Sequence, residues 1–374
     1  MKIHLSPTRT VLIVLTAGLV GGCATRPALK KAYQNDFLMG VAVNQAQFNG
    51  EDRRGDPIIK AQFNSISPEN ALKWASVHPE PGVYDFTNAD RYVAFGESNH
   101  LAVIGHTLVW NHQTPRWVYR DTNDDFVTRD VLLERMRDHI QTVVGRYKGR
   151  IKSWDVVNEA LAEDGKLRRS NWEKIIGDDY IEKAFQYAHE ADPNAELYYN
   201  DFSLEDEPKR QGAIALIKKL KADGVPITGV GLQGHMKMDW PTVEQEDETI
   251  SDFAKLGVKV SITELDIDVV RATQENRTAD IEANAQQVAG ANSYSHGLPA
   301  EVQEDLAKRY ADIFAVFLEH RDAVERVTLW GVTDADSWLN TPGRVNYPLL
   351  FDRNGRPKPA FTAVIQAAQN PDRE

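Results

Sequence analysis

The sequence has 374 residues, of which 42% are hydrophobic and 26% charged, a composition that is ordinary for a globular protein. This length suits two average domains or one α/β barrel with insertions. The formal net charge is -12, and it becomes -14 without residues 1–22, which carry two basic residues and no acidic one. A body this acidic repels phosphate backbones, which argues against a nucleic-acid partner.

The N-terminal segment has the pattern of an export signal. Two basic residues precede the apolar run VLIVLTAGLV, which is too short to span a bilayer as a stable helix. The run ends in VGGC, and Cys23 is the only cysteine, so no disulfide can form within the chain. The segment resembles a bacterial lipoprotein signal; the alternative is an ordinary secretory signal in which Cys23 is incidental.

The resemblance implies a lipoprotein signal peptide over 1–22, lipidation of Cys23, and a tether over 23–35 before the folded domain, which we place over 36–370. Ala24 follows the cysteine where an acidic residue would retain a lipoprotein in the inner membrane. We therefore expect an exported outer-membrane lipoprotein whose membrane contact is the lipid anchor alone. No later segment is apolar enough to cross a membrane, and because no dimer interface is evident, we expect a monomer.

Short β-rich runs alternate with helical patterns along the rest of the chain. The predicted strands cover 37–43, 63–70, 102–110, 151–159, 195–202, 229–235, 259–266 and 326–334. Several are continuously apolar, as expected for strands with both faces buried. Amphipathic helices are predicted over 130–149, 209–224 and 300–320, where apolar residues recur at helical spacing.

Repeated strand–helix units predict parallel strands with right-handed crossovers. Eight such units favour a single closed (β/α)₈ TIM barrel over a doubly wound open sheet. Residues 267–300 are polar and rich in Ala, Asn and Gln, and they are predicted to form a long loop or insertion after the seventh strand. The carboxyl ends of barrel strands meet at one face, where the chemistry of this fold takes place.

Seven of the eight predicted strands end in polar or aromatic residues. They are Glu69-Asn70, His106 with Trp110, Asn158-Glu159, Asn200-Asp201, Gln233 with His235, Glu264 with Asp266, and Trp330 with Asp334. A single carboxylate at a strand end is more often a capping or solvated group than a catalytic one. Seven ends of this kind on one rim are harder to explain as capping, so the pattern predicts an active site.

The residue types narrow the chemistry. No HxH or HExxH spacing supports a metal site, and no GxxxxGK[ST], GxGxxG or GxSxG motif supports a nucleotide or a serine nucleophile. We expect no cofactor and no metal. Glu159 and Glu264 lie across the predicted barrel mouth, among amides and tryptophans, and a pair of carboxylates in such surroundings suits glycoside hydrolysis.

The motifs SPENALKW, GHTLVWNHQTPRW, WDVVNEA, YYND, GVGLQGH, ITELD and LWGVTDADSW stand in one order along the chain. In this order and spacing they resemble glycoside hydrolase family 10, whose members are secreted retaining endo-1,4-β-xylanases with a (β/α)₈ barrel. The resemblance runs from about Phe37 to Phe361. It implies xylan and xylo-oligosaccharides as substrates.

The resemblance also assigns roles residue by residue. It implies that Glu159 is the acid/base, that Glu264 is the nucleophile, and that His235 and Asp266 orient this nucleophile. The implied substrate-binding residues are Glu69, Asn70, Lys73, His106, Trp110, Gln113, Asn158, Gln233, Trp330 and Trp338. The family usually has His after the tryptophan of its third strand, where this chain has Asn111-His112, so sugar contacts there are expected to differ.

Three alternatives stay open on the sequence. The first is a retaining barrel glycanase that acts on β-1,4-glucan, and the second is a surface lipoprotein that binds glycans without cleaving them. The third is a metal-dependent barrel hydrolase. The presence of both carboxylates with His235 and Asp266 favours catalysis over binding alone. Core packing is the alternative for each tryptophan, and we expect Trp74, Trp154 and Trp172 to be structural.

Overall fold

Eight parallel strands close into a barrel in the computed structural model, which describes residues 28–270 and 294–369. Hydrogen-bonded neighbours follow the order β6-β5-β4-β3-β2-β1-β9-β8, and the pairing of β6 with β8 closes the ring. The barrel strands are β1 Leu38–Val43, β2 Ser65–Pro68, β3 Ala102–Val109, β4 Ser153–Asn158, β5 Glu196–Asp201, β6 Gly229–Leu232, β8 Lys259–Asp268 and β9 Val324–Leu329. The predicted (β/α)₈ barrel is confirmed, with all eight predicted strands in place.

A short extra strand, β7 (His235–Lys237), was not predicted as a separate element. The predicted sixth strand ran to residue 235, but the chain leaves β6 after Leu232 and passes through Gly234 at φ +76°. A Cβ at Gly234 would lie 2.9 Å from the Ile262 side chain, so glycine is needed there. The break lets β7 pair with the outer part of β8, which sets His235 opposite Asp266.

The helices lie between the strands, around the barrel. The described ones are α1 Leu29–Ala32, α2 Gln45–Phe48, α3 Gly55–Gln62, α4 Trp74–Val77, α5 Thr87–Ser98, α6 Arg116–Tyr119, α7 Arg129–Arg146, α8 Asn171–Ile176, α9 Tyr180–Ala191, α10 Glu207–Ala222, α11 Val243–Ala254, α12 Ala300–Glu319 and α13 Pro359–Gln369. The three predicted helices correspond to α7, α10 and α12. Each buries the apolar face that its periodicity predicts.

The folded body begins before residue 36, where the sequence placed the start of the barrel. Leu29 and Tyr33 have no exposed surface. The Tyr33 hydroxyl donates to the Val364 carbonyl at 2.6 Å, and the Tyr33 ring stacks on Phe37 at 4.9 Å. The last part of the predicted tether is therefore packed structure, because its apolar side chains pack against α13 and Phe37. Cys23 and the predicted signal peptide lie outside the described residues.

The predicted loop 267–300 is shorter at both ends than expected. Ile267 and Asp268 continue β8, and α12 begins at Ala300. Residues 271–293 lie outside the described residues.

Trp74, Trp154 and Trp172 are buried at 2% exposure or less, as predicted for structural tryptophans. Among the described helices, none is long and apolar enough to span a bilayer.

Candidate active site

An open cleft at the carboxyl ends of the barrel strands brings the predicted site residues together. It contains about 740 Å³ of empty space, part of it continuous with solvent. The lining includes all but one of the predicted site residues of the barrel: Glu69, Asn70, Lys73, His106, Trp110, Gln113, Asn158, Glu159, Gln233, His235, Glu264, Trp330 and Trp338. The one exception, Asp266, is buried behind His235 at 1% exposure.

Glu264, in β8, is flanked by a histidine held between two carboxylates. His235 Nε2 lies 3.3 Å from Oε2 of Glu264, and His235 Nδ1 lies 3.1 Å from Oδ1 of Asp266. Burial opposes a positive charge on His235, but the charges and hydrogen bonds of Asp266 and Glu264 outweigh burial and raise the pKa of His235 to about 10. The imidazole is therefore a cation at neutral pH.

This cation controls the charge of Glu264. Burial alone would raise the pKa of Glu264. The hydrogen bond from His235, the charges of His106 and His235, and a hydrogen bond from Asn200 outweigh burial, so that the pKa of Glu264 is lowered. Asn200 Nδ2 donates to Oε1 of Glu264 at 2.9 Å. Glu264 is consequently an anion, the form in which a carboxylate can attack an electrophile.

Glu159 directly follows β4, and its backbone has a left-handed φ of +59°. Among the described residues, the groups that donate to its carboxyl are neutral: Trp110 Nε1 to Oε2 at 2.8 Å, and Gln233 Nε2 and Asn158 Nδ2 to Oε1 at 2.9 and 3.0 Å. Burial raises the pKa of Glu159, the hydrogen bond from Gln233 lowers it, and the negative charge of Asp201 raises it again. The net pKa is raised, which favours the protonated acid.

Two side-chain amides connect the carboxyls. Asn158 donates to Glu159 and accepts from Asn200 Nδ2 at 2.8 Å, while Asn200 also donates to Glu264. Thr263 Oγ1 donates to Oδ1 of Asn200 at 2.6 Å and fixes the orientation of that amide. Asn200 was recognised in the sequence only as a polar strand end, although it contacts the supposed nucleophile directly.

One end of the cleft carries a second group of polar residues. Lys73 Nζ donates to Oδ1 of Asn70 at 3.2 Å and lies 4.9 Å from the centre of the Trp110 ring. Burial and the charge of Asp336 raise the pKa of Glu69 to about 7, against the opposing charge of Lys73. Asp336 also lines the cleft and was not predicted. The sequence feature that could have identified Asp336 is its place in the motif DADSW, which follows the eighth predicted strand.

Aromatic rings form the wall near Glu264. Trp338 Nε1 donates to Oδ2 of Asp266 at 2.7 Å, and its ring lies 4.9 Å from that of His235. Trp330 packs edge-on against His106 at 5.4 Å. Both tryptophans line the cleft, so the core-packing alternative does not hold for either of them.

His106 is held by an acid that sequence reasoning missed. Its Nδ1 lies 2.9 Å from Oδ2 of Asp155, and both side chains are at most 4% exposed. Asp155 stands three residues before Asn158 in WDVVNE. Nothing in a single sequence separates such an interior carboxylate from the exposed acids common at strand ends.

Two strand-end acids on the predicted rim do not face the cleft. Asp201 forms an ion pair with Lys209 at 3.0 Å, and Asp334 forms one with Lys358 at 2.9 Å. Both aspartates have no exposed surface. Both carboxylates are therefore buried in ion pairs and are not part of the cleft surface.

The departure at Asn111-His112 lies behind the acid/base candidate. The His112 ring contacts the Trp110 ring edge-on at 5.2 Å. Asn111 Oδ1 is buried and accepts no hydrogen bond from the described residues. It borders a small void beside Trp110, Glu159 and Trp172. Neither Asn111 nor His112 is part of the cleft lining.

The described residues offer a metal ion no obvious site. Within 28–270 and 294–369, no group of three or more His, Cys, Asp or Glu side chains is arranged to hold one.

Comparisons with known proteins agree with this geometry. The chain matches the pattern of Glycosyl hydrolase family 10 over residues 28–367. It is 42% identical to a β-1,4-xylanase of Dictyoglomus thermophilum over 345 residues, which cover 91% of each chain. It is also 42% identical to endo-1,4-β-xylanase A of Xylanibacter ruminicola, with 91% of this chain and 93% of that protein covered.

Solved structures show the same likeness. An endoxylanase retrieved from a sugarcane soil metagenome superposes with a TM-score of 0.84 and 42% identity, covering 92% of this chain and all of the other. A mutant of an intracellular xylanase from Thermoanaerobacterium saccharolyticum, solved with xylotriose, gives a TM-score of 0.80 at 35% identity, covering 91% of this chain and 99% of that one. The chain belongs to glycoside hydrolase family 10.

Proposed function

We propose that this glycoside hydrolase is a retaining endo-1,4-β-xylanase, in which Glu264 is the nucleophile and Glu159 the acid/base. The observation that carries the proposal is the opposite charge preference of the two carboxyls in one cleft. His235 and Asn200 favour the anion at Glu264, whereas burial favours the neutral acid at Glu159. Retaining glycosidases need one carboxyl of each kind, about 5–5.5 Å apart.

In the first step, Glu264 attacks the anomeric carbon as the glycosidic bond breaks. Glu159 donates its proton to the departing oxygen, so that the leaving chain is released as a neutral alcohol. A covalent ester between Glu264 and the sugar results. Asn158 is placed to donate to the sugar 2-hydroxyl, a contact that would strengthen in the transition state.

In the second step, Glu159 changes from acid to base. Once Glu264 is esterified, its negative charge is gone, and this charge is one of the influences that raise the pKa of Glu159. The pKa of Glu159 then falls, and its carboxylate can take a proton from water. The water attacks the anomeric carbon from the side that the leaving group vacated, the ester bond to Glu264 breaks, and Glu264 leaves as a carboxylate, which restores the original configuration.

The substrate assignment rests on the relatives and on the aromatic wall. The two compared relatives are named as 1,4-β-xylanases, and one related structure was solved with xylotriose. Trp330 and Trp338 offer flat faces to a sugar ring, and their bulk would exclude the hydroxymethyl group that distinguishes glucose from xylose. Faster hydrolysis of carboxymethylcellulose than of xylan would overturn this assignment.

Proton NMR of the first product tests the stereochemical part. Hydrolysis of xylohexaose should initially release the β-anomer, which then mutarotates. An initial α-anomer would exclude the double displacement, and no release of reducing ends from xylan would favour the glycan-binding alternative.

We further propose that the enzyme is exported and anchored through a lipid on Cys23. The support is the sequence pattern of residues 1–23 alone. A Cys23→Ser variant should lose metabolic labelling by a palmitate analogue and move from the membrane fraction to the soluble fraction. Labelling that persists in this variant would refute the anchor.

A further inference from the structure

The turn that carries Glu159 is attached to the end of the neighbouring strand β5. The left-handed φ of Glu159 is uncommon for a residue with a side chain and persists where surrounding contacts fix it. Glu159 N–H donates to the Asn200 carbonyl at 2.9 Å. Two residues later, Leu161 N–H donates to Oδ2 of Asp201 at 3.3 Å. Both ends of the turn are thus held by consecutive residues of β5.

Asp201 itself is fully buried and does not line the cleft. Its Oδ2 also accepts from the Tyr199 hydroxyl, and its Oδ1 accepts from Phe202 N–H at 2.9 Å. Lys209 Nζ lies 3.0 Å from Oδ1 and 3.4 Å from the centre of the Phe202 ring. With four donors or cations around it, the Asp201 carboxyl is held in one orientation.

We infer that Asp201, together with Lys209, is a positioning residue that holds the turn carrying Glu159 and keeps its carboxylate next to that turn. The inference rests on the proposed function, since it gives Asp201 its purpose only if Glu159 is the acid. An ion pair that only stabilised the fold would not need to contact the turn that carries Glu159.

The charges around Glu159 come from several elements. Asp201 on β5 and Glu264 on β8 oppose ionisation of Glu159, and the influence of Asp201 is the larger of the two. Lys73, at the start of α4, acts in the opposite sense, because Glu159 and Lys73 attract each other. The negative charge at Asp201 also persists throughout the reaction, whereas the charge at Glu264 is lost when the ester forms.

The test compares two buried pairs of the same kind. The Asp201→Asn/Lys209→Met variant removes both charges together and keeps an oxygen acceptor for Leu161 N–H, because a buried pair replaced by neutral groups is often tolerated. Asp334→Asn/Lys358→Met is the matched control, since that pair is also buried and Asp334 lies in the segment that follows β9. The single Asp201→Asn variant leaves Lys209 as a buried cation and should act in the same direction more strongly.

For each variant, kcat/KM is measured against pH with xylohexaose and with dinitrophenyl xylobioside, and thermal unfolding confirms that the protein is folded. In Asp201→Asn the alkaline limb with xylohexaose should move down by roughly one pH unit, and in Asp201→Asn/Lys209→Met by less, because the loss of the Lys209 cation partly offsets the loss of the Asp201 charge. At pH 8 the activity of Asp201→Asn on xylohexaose should fall about tenfold more than its activity on the dinitrophenyl substrate, whose leaving group needs no proton. The control pair should move neither quantity.

An unchanged alkaline limb in a folded Asp201 variant would overturn the inference. An equal shift in the Asp334 control would overturn it as well, because the effect would then follow from any lost ion pair. Failure of the proposed function gives a different result: the unmodified enzyme would not cleave xylohexaose at all.

Discussion

The surroundings of Glu264 and those of Glu159 favour opposite protonation states of the same type of side chain. Both glutamates are buried, and burial alone would make both neutral. Around Glu264 the chain places a histidine cation, itself held by Asp266. Around Glu159, within the described part of the chain, the hydrogen-bond donors are neutral, and the carboxylate of Asp201 is nearby. One residue type therefore has two different protonation states within one cleft.

The comparison shows that the partners, and not the glutamates, determine which carboxyl is acid and which is anion. It also explains why the two sides are connected through the amides of Asn158 and Asn200. Amides can donate to either protonation state without adding charge. A cation in their place would lower the pKa of both carboxyls, and Glu159 would then lose the proton that the acid must donate.

The largest expected effect comes from removing the anionic side. Glu264→Ala should lower kcat on xylan and on aryl xylosides alike, by on the order of 10⁶-fold, the scale found when a covalent mechanism loses its nucleophile. Steady-state kinetics on both substrates measure the loss. Azide added to this variant should yield the α-xylosyl azide from an activated fluoride donor, whereas a β-azide would contradict the assignment.

Removing the acid side should have a smaller and more selective effect. Glu159→Ala should lower kcat/KM on xylan by about 10²–10⁴-fold, the usual contribution of general acid catalysis. Dinitrophenyl xylobioside, which needs no protonation, should form the covalent ester almost normally. A pre-steady-state burst of dinitrophenol followed by slow turnover would show this, and equal loss on both substrates would remove Glu159 from its role.

Replacing His235 by a neutral residue should make the surroundings of Glu264 resemble those of Glu159. In His235→Gln the cation next to Glu264 is lost, so the pKa of Glu264 should rise. The acidic limb of kcat/KM should then move up by roughly 1–3 pH units, with the largest loss of activity below pH 5. His320→Gln is a matched control, because His320 pairs with Asp247 at 2.7 Å and lies outside the cleft lining. An unmoved acidic limb in His235→Gln would contradict the role of the cation.

The sequence predicted the parts of the molecule that regular patterns encode. Alternating strand and helix patterns predicted the eight-stranded barrel, and the strand ends located Glu159, Glu264 and His235. The family resemblance added Lys73 and Gln113, which lie outside strands and which no periodicity would single out. All of these residues line one cleft.

The errors concern side-chain direction, which a single sequence does not encode. Asp201 and Asp334 looked like members of the rim, yet each turns to a lysine contributed by a later segment. Asp155 looked like an ordinary strand residue, yet it holds His106 inside the barrel. The sixth strand was predicted too long, because Gly234 interrupts it with a left-handed turn. The three aspartate contacts join residues that are 8 to 49 positions apart in the chain.

The smallest expected effects come from replacing two tryptophans, one that donates to Glu159 and one that donates to Asp266. Trp110 donates its indole N–H to Glu159, and Trp338 donates its own to Asp266. Trp110→Phe removes a bond that favours the charged form of Glu159, so the pKa of Glu159 should rise and the alkaline limb should move up. Trp338→Phe weakens the support of His235 by Asp266, so the acidic limb should move up instead.

Each shift should be below about one pH unit, because one hydrogen bond contributes roughly 0.5–1.5 kcal/mol. Trp117→Phe provides the control, since Trp117 donates to the Pro79 carbonyl at 3.0 Å and is not part of the cleft lining. The pH dependence of kcat/KM on xylohexaose separates the limbs. If both cleft variants moved the same limb, the two carboxyls would share one titration, and the division of the cleft into an acid side and an anion side would be wrong.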